Sequence, residues 1–151
     1  PRAPSAPVGR RLDSSGQYGH IGAMDVPALK PVDWIGPTRR ELRRFPDAVQ
    51  EAIGFALFRA QLGARHPDAT PLKGFGGAGV LEIIENREGS TYRAVYTVRF
   101  AEAIYVLHVF QKKSKQGIAT PKHELEVIRA RLQEAERRHR ESRREEANHE
   151  R

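Results

Sequence analysis

Three strand-like segments stand in a row in this chain, and they constrain its fold more than any other feature. Only short turns separate the segments, which cover residues 80–85, 91–100 and 103–110. Strands joined by short turns pair as antiparallel neighbours. The middle segment alternates in character, so that Tyr92 and Tyr96 fall on one face and Arg93 and Arg99 on the other. The third segment is apolar on both faces, which predicts a central strand with a neighbour on each side.

Two helices are predicted before these strands. Pro37 and Pro46 each suit the first turn of a helix, and apolar residues at steps of three and four follow both. We expect the two helices to form a hairpin. The second helix has two apolar stripes, which predicts that it is covered on more than one side. The stripes are Val49, Ile53, Leu57 and Ala60, and Phe55, Phe58 and Leu62.

A last helix is predicted from Pro121, with Thr120 as its N-cap. A short strand at residues 30–35 would add a fourth strand, and Pro31 would confine it to a sheet edge. The predicted fold class is therefore α+β, with an N-terminal helical hairpin, a small antiparallel β-sheet of three to four strands and a C-terminal helix. The apolar stripe of the last helix is Leu125, Ile128, Leu132 and Ala135.

Composition divides the chain into three parts. Residues 1–23 are rich in Pro, Gly, Ser and Arg, and we interpret them as a disordered or non-native N-terminal extension. Met24 is the only methionine, and we take it as the natural start. Residues 24–135 form the predicted folded domain. Residues 136–151 are almost entirely charged or polar, which predicts a helical tail that frays.

Charge narrows the possible classes of function. The chain has 26 Lys and Arg against 19 Asp and Glu, for a net charge of +7, which favours nucleic acid or an acidic protein as partner. It has no cysteine, which excludes disulfides and thiolate chemistry. No apolar run approaches the roughly 18 residues of a membrane span, so we expect a cytoplasmic protein with no membrane partner. No metal-ligand spacing or phosphate-binding glycine pattern is present, so we expect no cofactor and no metal.

A lysine cluster after the third strand is the strongest candidate for chemistry. Lys112, Lys113 and Lys115 follow Phe110 closely and precede the predicted start of the last helix. A strand that delivers this charge to the edge of a sheet is suited to holding a polyanion. The alternative is a solvated loop, which is the usual structural role of a charge run.

Three motifs follow this order of elements, namely Pro71-Leu72-Lys73-Gly74, Tyr92-Arg93-Ala94-Val95-Tyr96, and residues 107–115 continuing to Thr120-Pro121-Lys122. Together with the order of elements, they resemble the RelE/ParE superfamily of type II toxin–antitoxin toxins, and most closely its HigB-like, phage-derived branch. The resemblance spans about residues 30–135 and implies a RelE-like fold. One departure is Glu82-Ile83-Ile84, where many HigB-like toxins have Glu-Leu-Arg.

The resemblance implies an endoribonuclease that cleaves messenger RNA, commonly on the ribosome, and that is inhibited by a small antitoxin, often a helix-turn-helix protein. Cleavage without a metal requires a cation to stabilise the phosphorane, and we assign this role to Arg93, Lys112 and Lys113. The alternative for Arg93 is a surface arginine paired with Glu82 or Glu85 across the strands. His108 is a candidate acid or base, with a core histidine as the alternative. The candidate RNA contacts are Lys73, Arg99, Gln111, Lys115 and Lys122.

Three other functions remain open at this point. A non-catalytic RNA- or ribosome-binding module would use the same basic patch. A gyrase-directed ParE-like toxin would share the fold, because fold alone does not determine activity. A phage-derived structural or regulatory protein would use its basic face only to meet an acidic partner.

Overall fold

The computed structural model of this protein describes residues 10–12, 18–20, 28–77, 79–112 and 119–151. Strands β1 (Arg10–Leu12) and β2 (Tyr18–His20) pair antiparallel as a separate two-stranded ribbon. The rest of residues 1–23 lies outside the described residues, as do Met24, Lys113 and Lys115. The prediction of a disordered or non-native extension therefore stays a prediction.

A mixed sheet of five strands forms the centre of the fold. In chain order its strands are β3 (Val32–Trp34), β4 (Thr70–Pro71), β5 (Val80–Arg87), β6 (Ser90–Thr97) and β7 (Ile104–Lys112). Their order across the sheet is β3-β7-β6-β5-β4. The predicted antiparallel pairing of the last three strands is confirmed, and β7 has a neighbour on each side, as predicted.

The sheet differs in two ways from the predicted antiparallel sheet of three to four strands. β3 lies parallel to β7, since the intervening helices and strands carry the chain back across the sheet. β4 forms outside the four strands that the sequence predicts, where Thr70 and Pro71 pair with β5. Proline cannot donate a ladder hydrogen bond, which fits the position of Pro71 on an edge strand.

Two helices, α1 (Thr38–Arg43) and α2 (Asp47–Gln61), lie against one face of the sheet. The predicted hairpin is only partly confirmed, because α1 packs mainly on β7 and α2 mainly on β5 rather than on each other. The side-chain amide of Gln50 holds the connection between the helices by donating to the backbone carbonyls of Arg43 and Phe45, at 3.2 and 2.8 Å. The first apolar stripe of α2 is buried, as predicted.

The second apolar stripe of α2 is not covered by the described part of the chain. Phe55, Phe58 and Leu62 are 52%, 44% and 38% exposed. The prediction that α2 is covered on more than one side is therefore wrong for these residues. Contiguous exposed apolar side chains of this size are typical of a protein-binding surface.

A long helix, α3 (Lys122–His149), covers the opposite face of the sheet. Its N-cap residue is Pro121, so the prediction that Thr120 is the N-cap is wrong. The helix continues through the charged segment as far as His149. Within the described ranges, none of the helices has the length and apolar composition that crossing a bilayer requires. The predicted apolar stripe of α3 packs on the sheet through Leu125, Ile128, Leu132 and Ala135.

A β-bulge in β7 changes which residues share a face. Val95 and Tyr96 of β6 pair with His108 and Val106, which leaves Leu107 as an extra residue on β7. His108 therefore contacts α3, whereas Val106 belongs to the core beneath α1 and α2. Strict alternation places His108 and Val106 on the same face, and this prediction is wrong because the bulge shifts the period by one residue.

Candidate functional site

The end of β7 and the start of α3 meet at one corner of the sheet, where most of the candidate residues lie. Arg93 on β6 pairs with Phe110 on β7, and two residues further along Thr91 pairs with Lys112. His108 hydrogen-bonds to Glu124 in the first turn of α3. The structure thus brings together four of the predicted site residues, namely Arg93, His108, Gln111 and Lys112.

Arg93 lies in a buried polar cluster with Glu82 and Thr120. Its side chain is only 2% exposed, and its Nη1 atom lies 3.5 Å from Oε2 of Glu82. The same Nη1 donates to the Thr120 hydroxyl at 3.1 Å, and that hydroxyl donates to Glu82 at 2.9 Å. The Nε atom of Arg93 has no hydrogen-bond partner among the described residues. In this conformation the Arg93 guanidinium, which the sequence predicts to bind RNA, contacts Glu82 and Thr120 instead.

His108 has protein partners on both ring nitrogens. Nη1 of Arg131 donates to Nδ1 at 2.9 Å, and Nε2 donates to the Glu124 carboxylate. Because arginine can only donate, this geometry assigns a neutral ring with its proton on Nε2. The ring also stacks on Phe110, with 4.8 Å between centroids. A role as acid or base would require His108 to exchange one of these partners for substrate.

An open cleft of about 330 Å³ separates α1 from the end of β7. Arg44 at the end of α1 and Arg131 on α3 both line the cleft, and arginine is a residue type that suits phosphate. Gln111 adds an amide, which can both donate and accept hydrogen bonds. The other lining residues are Pro37, Glu41, Phe45, His108, Val109 and Phe110.

The remaining predicted residues at this corner lie near the cleft. Nζ of Lys112 donates to the Ala119 carbonyl at 3.2 Å, which links the end of β7 to the approach to α3. Nε2 of Gln111 donates to the Ser90 hydroxyl at 3.0 Å. Lys122 is exposed at the start of α3. Lys113 and Lys115 lie outside the described residues, so their predicted roles remain predictions.

Two of the predicted RNA contacts are not brought to this corner. Arg99 follows the end of β6, while Lys112 pairs with the beginning of that strand, so about 20 Å separates them at the ordinary rise of a strand. Nη1 of Arg99 is paired with Glu136 at 2.6 Å. Lys73 is exposed and lies beyond β4, near the same end as Arg99. The predicted RNA-binding set therefore divides between two ends of the sheet.

The sequence analysis missed three residues that build this site, and two of them had a readable signal. Glu124 and Arg131 lie on either side of the buried Ile128, at spacings of four and three residues on α3. This spacing places all three on one helix face, so polar side chains interrupt an apolar stripe where burial forces them to find partners. Thr120, the third, is brought to Arg93 only by the fold, whereas the pairing of Arg93 with Glu82 is the predicted alternative. The described residues include no group of three or more His, Asp or Glu placed to hold a metal ion.

The surroundings of His108 predict a loss of stability in mild acid. Burial lowers the pKa of His108 below its ordinary value of 6.5, although the hydrogen bond to Glu124 and the charges of Glu124 and Glu41 act in the opposite direction. The unfolded chain then binds a proton more readily than the folded chain. The stability that neutral His108 contributes is complete above about pH 6.5 and is lost as pH falls through its folded pKa.

Urea unfolding between about pH 7.5 and pH 5 would measure this effect, since each pKa unit corresponds to about 1.4 kcal/mol. The His108→Gln variant should lose part of the acid sensitivity, whereas His149→Gln, at an exposed position, should retain it. Identical pH dependence in wild type and His108→Gln would contradict the prediction.

Comparison with known proteins gives one family match. The model of the family described as "Phage derived protein Gp49-like (DUF891)" matches residues 40–133, from α1 into α3. No curated protein matches the chain. Among solved structures, a chain of the toxin–antitoxin complex RelBE2 from Mycobacterium tuberculosis is 22% identical, and the match covers 58% of this chain and 95% of that chain with a TM-score of 0.38. A likeness of this degree carries no argument about function.

Proposed function

Because the chain belongs to the phage-derived Gp49-like family, which is of the RelE/HigB toxin type, we propose that it is a toxin of a toxin–antitoxin system and that it cleaves messenger RNA on the ribosome. The observation that supports nuclease activity is that the candidate site lies within the segment matched by the family model. Arg93, His108, Gln111 and Lys112 lie at one corner of the sheet, all inside residues 40–133.

The proposed reaction needs no metal. The 2′-oxygen of a ribose attacks the adjacent phosphorus as it loses its proton, and the bond from phosphorus to the 5′-oxygen breaks as that oxygen gains a proton. The products are a 2′,3′-cyclic phosphate and a 5′-hydroxyl. Lys112 and Lys113 stabilise the negative charge of the phosphorane, which is the kind of interaction that usually contributes most to catalysis. His108 is the candidate for proton transfer once substrate replaces Glu124 or Arg131.

Arg93 takes part in this mechanism only after it separates from Glu82 and Thr120. Thr120 precedes α3 by two residues and lies against the guanidinium of Arg93. A movement of this short approach segment would expose Arg93 without disturbing the apolar contacts further along α3. The guanidinium would then exchange a carboxylate for a phosphate, which has matching bidentate geometry.

A non-catalytic RNA- or ribosome-binding module is the second candidate. The observation in its favour is that the polar groups best suited to chemistry are already engaged by the protein. Both ring nitrogens of His108 and the Nη1 atom of Arg93 have partners within the fold. Such a module would block translation by occupancy and would leave messages intact.

A small antitoxin, of the helix-turn-helix type, is the proposed protein partner. The exposed stripe of Phe55, Phe58 and Leu62 on α2 gives such a partner an apolar surface to cover. This stripe lies on the opposite side of the sheet from α3. An antitoxin could therefore bind to this stripe, or on the other side to α3 and the corner where α3 meets the end of β7. The two binding modes are distinguishable.

Induced expression followed by mapping of transcript 5′-ends tests the proposed activity. We expect growth arrest and new message ends in wild type, and neither in Arg93→Lys, which retains the charge but not the bidentate geometry. Arrest with intact messages would favour the binding module, and altered supercoiling with intact messages would favour the gyrase-directed reading. An Arg93→Lys variant that folds and cleaves like wild type would remove Arg93 from the site.

A further inference from the structure

Four arginines cluster on the short helix α1 and at its end, and the described chain does not neutralise them. All four side chains are exposed, and Glu41 is the only acidic residue among them. Residues 38–44 thus hold a net charge of +3, out of +7 for the whole chain. The α1 arginines, as we call them below, are Arg39, Arg40, Arg43 and Arg44.

The α1 arginines differ from most arginines on α3 in lacking partners. Arg137 and Arg138 each bind Glu134, and Arg138 also binds Asp33 at 2.9 Å. By contrast, no α1 arginine forms an ion pair or a side-chain hydrogen bond with any residue in the described ranges. The positive charge of α3 is therefore largely compensated within the protein, and that of α1 is not.

The fold holds the α1 arginines close together despite their repulsion. Thr38 and Leu42 are buried and fix α1 on the sheet, and Gln50 binds the Arg43 carbonyl at its end. The spacing of four residues from Arg39 to Arg43 puts like charges on neighbouring turns, which is unfavourable for the helix by itself. An anionic ligand would remove this cost on binding.

The α1 arginines also continue directly into the candidate site. Arg44 lines the cleft together with Gln111 and Arg131, so one side of the cleft is formed by α1 and the other by the end of β7. We propose that the α1 arginines bind the phosphate backbone of single-stranded RNA and guide the strand into this cleft. The inference rests on the proposed function only in taking RNA as the substrate.

RNA fits this surface better than an acidic protein does. A protein interface has an apolar centre, yet every exposed residue of α1 is an arginine. Among the described residues, the exposed aromatic side chains lie instead on α2, at Phe55 and Phe58. A row of guanidinium groups without apolar neighbours matches a phosphate backbone, for which arginine supplies bidentate, sequence-independent contacts.

The test is RNA affinity of a variant in which all four α1 arginines become glutamine, a residue with similar helix propensity. The probe is a fluorescent single-stranded RNA with methylated 2′-hydroxyls, which cannot be cleaved, followed by anisotropy at several salt concentrations. We expect binding at least about tenfold weaker near 0.1 M salt, and a slope of log K against log salt that falls by about 0.7 for each lost phosphate contact.

A matched control separates docking from general attraction. It converts Arg140, Arg143, Arg144 and Arg151 to glutamine, and thereby removes the same charge from exposed positions at the far end of the chain. This control should bind within about twofold of wild type, since its phosphate contacts are unchanged. Circular dichroism establishes that both variants retain their helices.

Either of two results would overturn the proposal: an α1 variant that binds RNA like wild type, or a control that loses as much affinity as the α1 variant. Retained RNA affinity together with lost capture of an acidic protein would assign α1 to that partner and would also overturn it. Failure of the nuclease proposal is distinguishable, because a wild-type protein that leaves normal messages intact but binds the methylated RNA through α1 supports docking without cleavage.

Discussion

Replacing Arg93 by alanine is expected to lower the free energy of unfolding by about 3–5 kcal/mol, as well as to abolish RNA cleavage. The Arg93 and Glu82 side chains are 2% and 8% exposed, and they lie 3.5 Å apart. Removing one partner of a buried pair leaves the other charge buried and unpaired, which is the costly case. Urea unfolding measures the loss, and an unchanged unfolding midpoint would contradict it.

A paired substitution distinguishes a catalytic role for Arg93 from a structural one. Replacing both members, by Glu82→Leu with Arg93→Met, removes the unpaired charge and should recover most of the lost stability. If this variant folds but does not cleave messages, Arg93 acts on the substrate. If it folds and cleaves normally, the cluster serves only the fold, and the lysines of the β7 end must supply the charge.

The sequence predicted the sheet centre well because it depends on local patterns. Alternation along β6 places Tyr92 and Tyr96 in the core beneath α1 and α2, and the apolar character of β7 predicts its two neighbours. The strand predicted at residues 30–35 is confirmed as the edge strand β3, but its parallel direction was not predictable in this way, and neither was the edge strand β4. Strand direction and two-residue pairings follow from long-range contacts that leave no periodic signal.

The sequence predicted several residues of the candidate site, but not that the side chains of Arg93 and His108 have partners within the protein. A period of two identifies the residues that share a face with Arg93, but not what covers that face. Helix α3 covers it, and Thr120 and Glu82 close over the guanidinium. The bulge at Leu107 likewise turns His108 toward α3, and a single extra residue cannot be read from alternation.

These differences alter the interpretation of the site. A surface arginine on an open sheet would bind phosphate directly, whereas buried Arg93 requires release from Glu82. Arg44 and Gln111 are exposed and line the cleft, and Lys112 follows Gln111 at the end of β7. First contact with RNA is therefore expected at the cleft and on α1, before Arg93 takes part.

Replacing Lys112 and Lys113 together by alanine is expected to reduce message cleavage by about 10²–10³-fold, since preorganised charge at the phosphorane is worth this much per donor group. The fold should be retained. Lys112 forms an exposed hydrogen bond to the Ala119 carbonyl at 3.2 Å, whose loss costs about 1 kcal/mol. Initial rates of cleavage of a defined message, at saturating enzyme, measure the effect.

Two further variants separate the charge of these lysines from their geometry. Lys112→Arg with Lys113→Arg keeps both charges and should retain more activity than the alanine pair, because the phosphorane needs a cation more than a particular shape. Arg140→Ala with Arg144→Ala removes the same charge from the exposed part of α3 and should cleave like wild type. If the alanine pair at 112 and 113 also cleaves like wild type, these lysines serve only to bind RNA, and Arg93 must supply the charge that stabilises the phosphorane.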